Sequence, residues 1–255
     1  MARGRTVFIT GAGSGLGKQT ALAFASAGYD VAVTGLQGTD ETAAQIRSCG
    51  AAALALQLDV RDAAQVESAV ARAAAELGPP DVLVCNAAIE GPTAAAADIA
   101  PEDWNDTLSV NLTGAFLCDR AVIPRMVELG RGSIIHISSV AGLQAYPLRS
   151  PYAVSKWGLI GLTQTLAAEL GASNVRVNAV CPGPVDGDRM RRVIEHRAAA
   201  EGRDRSEVEA DYRGRTALGR LVEADDVVEL VLFLASDAAK NITGQAIRVC
   251  AGYGL

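Results

Sequence analysis

Short runs of β-branched and aliphatic residues alternate along the chain with longer stretches whose apolar positions recur at helical spacing. The runs predict strands at Thr6–Thr10, Asp30–Thr34, Ala53–Leu58, Val82–Cys85, Ser133–Ile137, Val175–Val180 and Ala246–Val249. The stretches between them predict helices over Leu16–Ser26, Glu41–Cys49, Ala63–Glu76, Glu102–Val127, Pro151–Leu170 and Ala224–Leu234. Runs such as Val-Leu-Val-Cys and Ile-Ile-His-Ile are apolar on both faces, as a sheet covered on both sides requires. Strand–helix alternation with right-handed crossovers then predicts the α/β class. The expected architecture is a Rossmann-type doubly wound parallel sheet of about seven strands flanked by helices, with its ligand crevice at the carboxyl ends of the strands.

The stretch Gly187–Arg220 departs from this rhythm, with nine arginines interleaved with Glu195, Glu201, Asp204, Glu207, Glu209 and Asp211. It reads as a helical excursion inserted before the last helix, its arginines on solvated faces beside nearby acids. There is no linker, internal repeat or low-complexity segment, so one domain over residues 1–255 is expected, with residues 187–220 as a substrate-loop excursion.

Composition narrows the class of molecule. Of the 255 residues 49% are apolar but only 4% aromatic, so Ala, Val, Leu and Ile must build the core. A chain of this length buries roughly 70% of its unfolded surface. A formal net charge of −6 argues against a nucleic-acid partner. Five dispersed cysteines form no disulfide framework and no zinc motif, and read as buried reduced thiols. No run is long and apolar enough for a signal peptide or a bilayer span, and a cytoplasmic location is expected.

Candidate chemistry begins directly after the first strand, at Thr10-Gly11-Ala12-Gly13-Ser14-Gly15-Leu16-Gly17. Glycines let backbone approach a pyrophosphate closely, while the helix that follows offers unpaired N–H groups and the positive end of its dipole. The second strand ends in Gly35-Leu36-Gln37, neither acidic for an adenosine ribose nor basic for a 2′-phosphate; Asp40 and Glu41 nearby lean the choice towards NAD over NADP. Asp59, before Val60, is placed either to accept from an adenine amino group or to cap a helix. Asn86-Ala87-Ala88, after the fourth strand, would line the ribose.

Ser150 and Pro151 predict a helix start, Ser as the cap and Pro at the first position. Tyr152 and Lys156 then share one face, one turn apart. A free phenol, with a pKa near 10, is a poor base at neutral pH, and a neighbouring ammonium favours the phenolate. Ser139, at the end of the fifth strand, can donate to an oxygen on which charge develops.

With these residues together, the chain resembles the short-chain dehydrogenases/reductases of about this length. The resemblance runs over nearly all of it, through the Gly-rich loop, Asp59-Val60, Asn86-Ala87, Asn111, Ser138-Ser139, Tyr152-x-x-x-Lys156, Asn178 and Pro182-Gly183. It implies a catalytic tetrad of Asn111, Ser139, Tyr152 and Lys156, with Tyr152 as general acid/base and Ser139 polarising the substrate oxygen. Lys156 would lower the Tyr152 pKa and hold the nicotinamide ribose, and Asn111 would fix a water in a proton relay. It implies NAD or NADP as cofactor, no metal, an alcohol or carbonyl substrate and a homotetramer. Where the family commonly has a Thr after Pro182-Gly183, this chain has Pro184-Val185, and the Val185 backbone is expected to serve the carboxamide.

Substrate-facing positions on the same resemblance are Ser139, Gln144, Tyr146, Arg149 and Tyr152. Arg149, with Arg189 or Arg192, would suit an anionic or heavily hydroxylated substrate such as a sugar, sugar acid or hydroxy acid; the alternative is a solvated or interface arginine. A ketoreductase of hydrophobic or acyl-type ketones is the competing substrate reading. A hydrolase built on His136 and Ser139 lacks the Gly-x-Ser-x-Gly elbow, and His136 in an apolar strand reads as a satisfied core residue. A non-catalytic dinucleotide sensor would have lost Tyr or Lys. An epimerase or dehydratase of the longer related branch would carry Gly-x-x-Gly-x-x-Gly and a larger C-terminal region.

Overall fold

The computed structural model describes residues 4–255. Its strands are β1 (Thr6–Ile9), β2 (Asp30–Gly35), β3 (Ala53–Gln57), β4 (Pro80–Cys85), β5 (Gly132–Ile137), β6 (Val175–Pro182) and β7 (Ala246–Val249), all parallel in the order β3-β2-β1-β4-β5-β6-β7. Winding reverses between β1 and β4, so the loops leaving those two strands diverge and open a crevice at their carboxyl ends.

Both faces of the central strands are buried. On one layer Val7, Ile9, Val31, Val33 and Val84 pack against α1 (Gly15–Ser26), α2 (Thr39–Ser48) and α9 (Ala224–Ala235), with Phe24, Ile46 and Val231 as anchors. On the other, Phe8, Ala32, Leu83, Ile134 and Val177 meet α3 (Ala63–Glu76), α5 (Gly114–Leu129) and α6 (Ser150–Leu170) through Val66, Met126 and Leu159. Each fully buried aliphatic or phenyl side chain contributes roughly 1.5–3 kcal/mol. This explains the all-apolar strand runs.

The helix expected over Glu102–Val127 is broken in three: α4 (Pro101–Leu108), a π-helical turn at Ser109–Thr113, and α5. The wide turn closes with the Gly114 N–H donating to Ser109 O, and it turns Asn111 inward, where it is 1% exposed. Periodicity cannot reveal one inserted residue. Gly114 is required beside it, since a Cβ there would stand 2.6 Å from Val60 Cγ2.

Ser150 does not cap α6: Arg149 holds the cap position, with no side-chain cap bond, and Ser150 is already helical. Leu148, just before, adopts φ of 66°, unusual for a bulky side chain, and places the cap one residue earlier. The arginine-rich excursion folds as α7 (Asp188–Glu201) and α8 (Arg205–Gly214). Met190, Val193, Ile194, Val208 and Tyr212 seat it on Val140, Leu221 and Tyr253, while pairs such as Arg197–Glu201 and Arg213–Glu209 decorate its faces.

His136 is a satisfied core residue. Thr163 Oγ1 donates to Leu159 O at 2.7 Å, so it accepts from His136 Nδ1 at 2.8 Å; His136 Nε2 lies 3.0 Å from Asp119 Oδ2. Cys85, Asp119 and His136 bring potential ligand atoms within 4.8 Å of one another, a grouping invisible in the sequence because it spans three elements. Four of the cysteines are buried and unpaired as expected; Cys49 is exposed. Among the described residues no helix is long and apolar enough to cross a membrane.

Candidate active site

The loop from β1 into α1 lies at the crevice. Asn86 clamps it, its Nδ2 donating to Thr10 O at 3.0 Å and to Gly11 O at 3.1 Å, while the Asn86 and Ala87 N–H groups both donate to Thr10 Oγ1 at 3.0 Å. The Asn86 amide nitrogen thus holds the loop. A Cβ on Gly13 would collide with the Gln37 carbonyl, and one on Gly17 with the Gly11 carbonyl. Gly15 differs: it has φ of 51° and open space where a Cβ would be. A side chain there would fill the cradle. The first turn of α1 carries no acidic residue, and Ser14 makes no side-chain cap, so its N–H groups remain directed at the cradle. These features fit a dinucleotide pyrophosphate.

The adenosine end is less committed. Leu36 and Gln37 are exposed, and Lys18, beside the loop, is paired with Glu41 at 2.9 Å. Asp59 is not the cap of α3; Asp62 is, accepting from the Ala64 and Gln65 N–H groups. Asp59 instead binds Arg61 in a fork, at 3.0 Å from Nε and 2.7 Å from Nη2, and this hydrogen bonding holds its carboxyl below the usual carboxylate range. Val60 turns its side chain into the core against Gly114. At the other end, Gly183 fits because a Cβ would meet Cys250 Cα at 2.8 Å. Val185 pairs with Val222 through the flanking Pro184 carbonyl and Asp186 N–H, which leaves the Val185 N–H itself outside the bridge.

Lys156 reaches the end of β5 two residues before Ser139, and Asn111 reaches the Tyr152 turn of α6 through Ser155. Lys156 is 3% exposed, and its Nζ donates to Ile137 O at 2.8 Å and lies 5.6 Å from the Tyr152 ring centroid. Burial, reinforced by the Arg189 charge, pushes its pKa from 10.5 down to about 7. Helix and loop are locked together there: Ser138 Oγ donates to Lys156 O at 2.9 Å, and a Cβ on Gly142 would stand 2.6 Å from the same oxygen. Ser139 Oγ accepts from the Ala141 N–H at 3.1 Å, which leaves its own O–H free to donate outwards.

Asn111 uses its side chain structurally. Its Oδ1 accepts from Ile89 N–H at 2.8 Å, and Nδ2 donates to Ile89 O at 3.0 Å and to Ser155 Oγ at 3.1 Å. Ser155 in turn donates to Tyr152 O at 2.7 Å. Ser155 therefore links Asn111 to the Tyr152 turn, a residue that sequence reasoning missed although it lies between Tyr152 and Lys156.

On the substrate side, Tyr146 is turned away to Tyr212, with 3.0 Å between hydroxyls, and Gln144 lies against Gly254. Arg149 is not a solvated residue. It is 4% exposed, with Nη2 donating to Glu90 O at 2.7 Å and its guanidinium carbon 5.2 Å from the Tyr152 centroid. Arg189, on the first turn of α7, reaches within 5.9 Å of the same centroid. Glu90 was also missed, being one acid in a loop with no periodic signal.

Comparison with known proteins places this arrangement. A family model described as enoyl-(acyl carrier protein) reductase matches residues 11–254. A short-chain dehydrogenase/reductase of Armillaria gallica is 38% identical over 99% of this chain and 97% of its own length. Among solved structures, a single-residue variant of actinorhodin polyketide ketoreductase with NADPH superposes with a TM-score of 0.94 at 35% identity, covering 100% of this chain and 99% of that one. An NAD+-bound xylitol dehydrogenase also reaches 0.94, at 28% identity, covering 98% and 99%.

Proposed function

Since the chain belongs to the short-chain dehydrogenase/reductase family and is an NAD(P)-dependent oxidoreductase of alcohols and carbonyls, we propose that Tyr152 is its general acid/base on a polar hydroxy substrate. The observation that carries this reading is Tyr152 beside Lys156, with the free Ser139 O–H at the same crevice. The dinucleotide, when bound, supplies or accepts the hydride at the substrate carbon. Gly11, Gly13, Ser14, Gly15, Leu16 and Gly17 hold its pyrophosphate by backbone N–H groups. Gly35, Leu36, Asp59 and Val60 border the adenosine, and Ala87, Ala88, Pro182, Gly183 and Val185 border the nicotinamide half.

Ser139 donates to the substrate oxygen and stabilises charge growing on it during carbonyl reduction. Tyr152 takes the hydroxyl proton in oxidation and returns it in reduction. Lys156, titrating near neutral pH, passes that proton on and holds the ribose. Both Asn111 N–H donors are committed, so its part in the relay is to fix the Tyr152 turn through Ser155 and to hold water by a remaining acceptor.

One domain, a cytoplasmic location and a homotetramer complete the reading. Exposed Phe116, Val154 and Trp157 on α5 and α6 support assembly through those helices. The xylitol dehydrogenase likeness favours a polyol-like substrate, and the ketoreductase likeness favours an acyl-type ketone. A panel of alcohols and ketones followed by nicotinamide absorbance, with each dinucleotide, tests the function. Turnover of polar hydroxy compounds supports it; no turnover and no retained dinucleotide would remove it.

A further inference from the structure

Glu90 gathers three guanidinium groups at the mouth of the crevice, and they are not equally occupied. Arg192 is the most engaged of the three with the carboxylate, its Nε at 3.2 Å and Nη2 at 2.9 Å from Glu90 Oε1. Arg189 reaches the same oxygen only at 3.9 Å. Arg149 takes only the Glu90 backbone carbonyl, through Nη2, and forms no ion pair among the described residues. Its Nε is buried without a hydrogen-bond partner among them. The Glu90 carboxylate therefore serves two guanidiniums and its backbone carbonyl a third, and the two least satisfied, Arg149 and Arg189, both lie beside the Tyr152 ring.

A buried guanidinium with an open donor is costly in a protein interior unless a partner completes it. The fork geometry of guanidinium matches a carboxylate, and two forks from different elements can grip one anion from two directions. The backbone spends strain on this placement. Leu148 takes its left-handed conformation next to Arg149, pinned by the Ala94 N–H donating to Leu148 O at 2.9 Å. A neutral polyol would leave the excess charge uncompensated.

We propose that Arg149 and Arg189 form a carboxylate-recognition site beside Tyr152, so that the substrate is a hydroxy acid or the corresponding oxo acid. Glu90 is a positioning residue: it fixes Arg192 on α7, anchors Arg149 through its backbone carbonyl, and leaves Arg149 Nε and the loosely held Arg189 guanidinium for substrate. The proposal rests on the redox reading above and narrows it. In oxidation the carbinol carbon loses its hydride to the nicotinamide, the hydroxyl proton goes to Tyr152, and the carboxylate stays ionised on the two arginines.

Two measurements separate this proposal from its premise. Calorimetric titration of the purified chain with cyclohexanecarboxylate and with cyclohexanecarboxamide decides the anion site. The carboxylate is expected to bind at least ten-fold tighter, and Arg189→Met, at an exposed side chain that folding does not need, is expected to remove most of that difference. Arg149→Met should do the same, and Arg72→Met, on the outer face of α3, should not. Equal binding of acid and amide, no binding of either, or a preference unchanged in Arg189→Met would overturn the carboxylate site. Turnover of hydroxy acids and their amides decides the premise. Oxidation of neutral alcohols without acid preference leaves the redox reading standing and sinks this one.

Discussion

Lys156 Nζ donates to the carbonyl oxygen of Ile137 at 2.8 Å, tying α6 to the end of β5 from inside the protein. The ammonium is therefore held by a main-chain dipole and shielded from water, and this sets its titration.

That titration should be visible in stability. Burial keeps the Lys156 pKa in the folded chain at about 7, below its ordinary 10.5, so between those limits the unfolded chain binds the extra proton. The penalty is fully present below pH 7 and is relieved as pH rises. The dinucleotide-free protein should gain about 2 kcal/mol from this group between pH 7 and pH 9. Urea unfolding at both pH values should show the gain in the wild type and its disappearance in Lys156→Met. A wild type whose dependence matched that of the variant would contradict this account.

Tyr152→Phe removes the phenol proton and keeps the ring that lies beside Arg149 and Lys156. It should lower kcat by roughly 10²–10⁴-fold, the usual scale for a general acid/base. Dinucleotide affinity, followed by fluorescence titration, should stay within a few-fold of wild type. A variant keeping a tenth of the activity would place the proton elsewhere.

Gly17→Ala puts a methyl group into the Gly11 carbonyl and the Asn86 amide. The loop must shift away from Asn86, at a cost of about 1–3 kcal/mol. Dinucleotide affinity should fall at least ten-fold. Gly161→Ala, where a Cβ meets nothing within 4 Å, is the matched control and should bind normally.

Asp119→Asn tests the buried pair with His136. Both side chains are essentially inaccessible, and an amide in place of the carboxylate leaves His136 Nε2 without its buried carboxylate partner. A loss of about 3–5 kcal/mol is expected on denaturant unfolding. A change below about 1 kcal/mol would mean the pair is neutral in the folded chain.

Cofactor choice should respond to the end of β2. Leu36→Asp would set a carboxylate at an exposed position where a ribose hydroxyl can be bound and a 2′-phosphate repelled. The ratio of kcat/KM with NAD to that with NADP should rise at least ten-fold. A ratio that stayed level would place the adenosine ribose away from Leu36.

Much of this protein was legible in its sequence because the relevant signals are local. Gly11–Gly17 follow a strand and open a helix, so turn chemistry and helix geometry imply a phosphate cradle without knowledge of the rest. Tyr152 and Lys156 share a helical face by spacing alone, and the apolar runs of β1, β4 and β5 announce a sheet covered on both sides. Tertiary structure decided what depends on distant segments meeting. The π turn that turns Asn111 inward answers to packing of Gly114 on Val60, which no periodicity records. For Arg149 the sequence leaves a substrate-facing and a solvated or interface reading open, and only its burial against Tyr152 and its hydrogen bond to the Glu90 carbonyl set the solvated one aside. Asp59 was expected at adenine or at a helix cap; Asp62 takes the cap, and Asp59 is paired with Arg61. Charge pairing and burial depend on which elements fold side by side, and elements far apart in the chain have no sequence spacing from which that can be read.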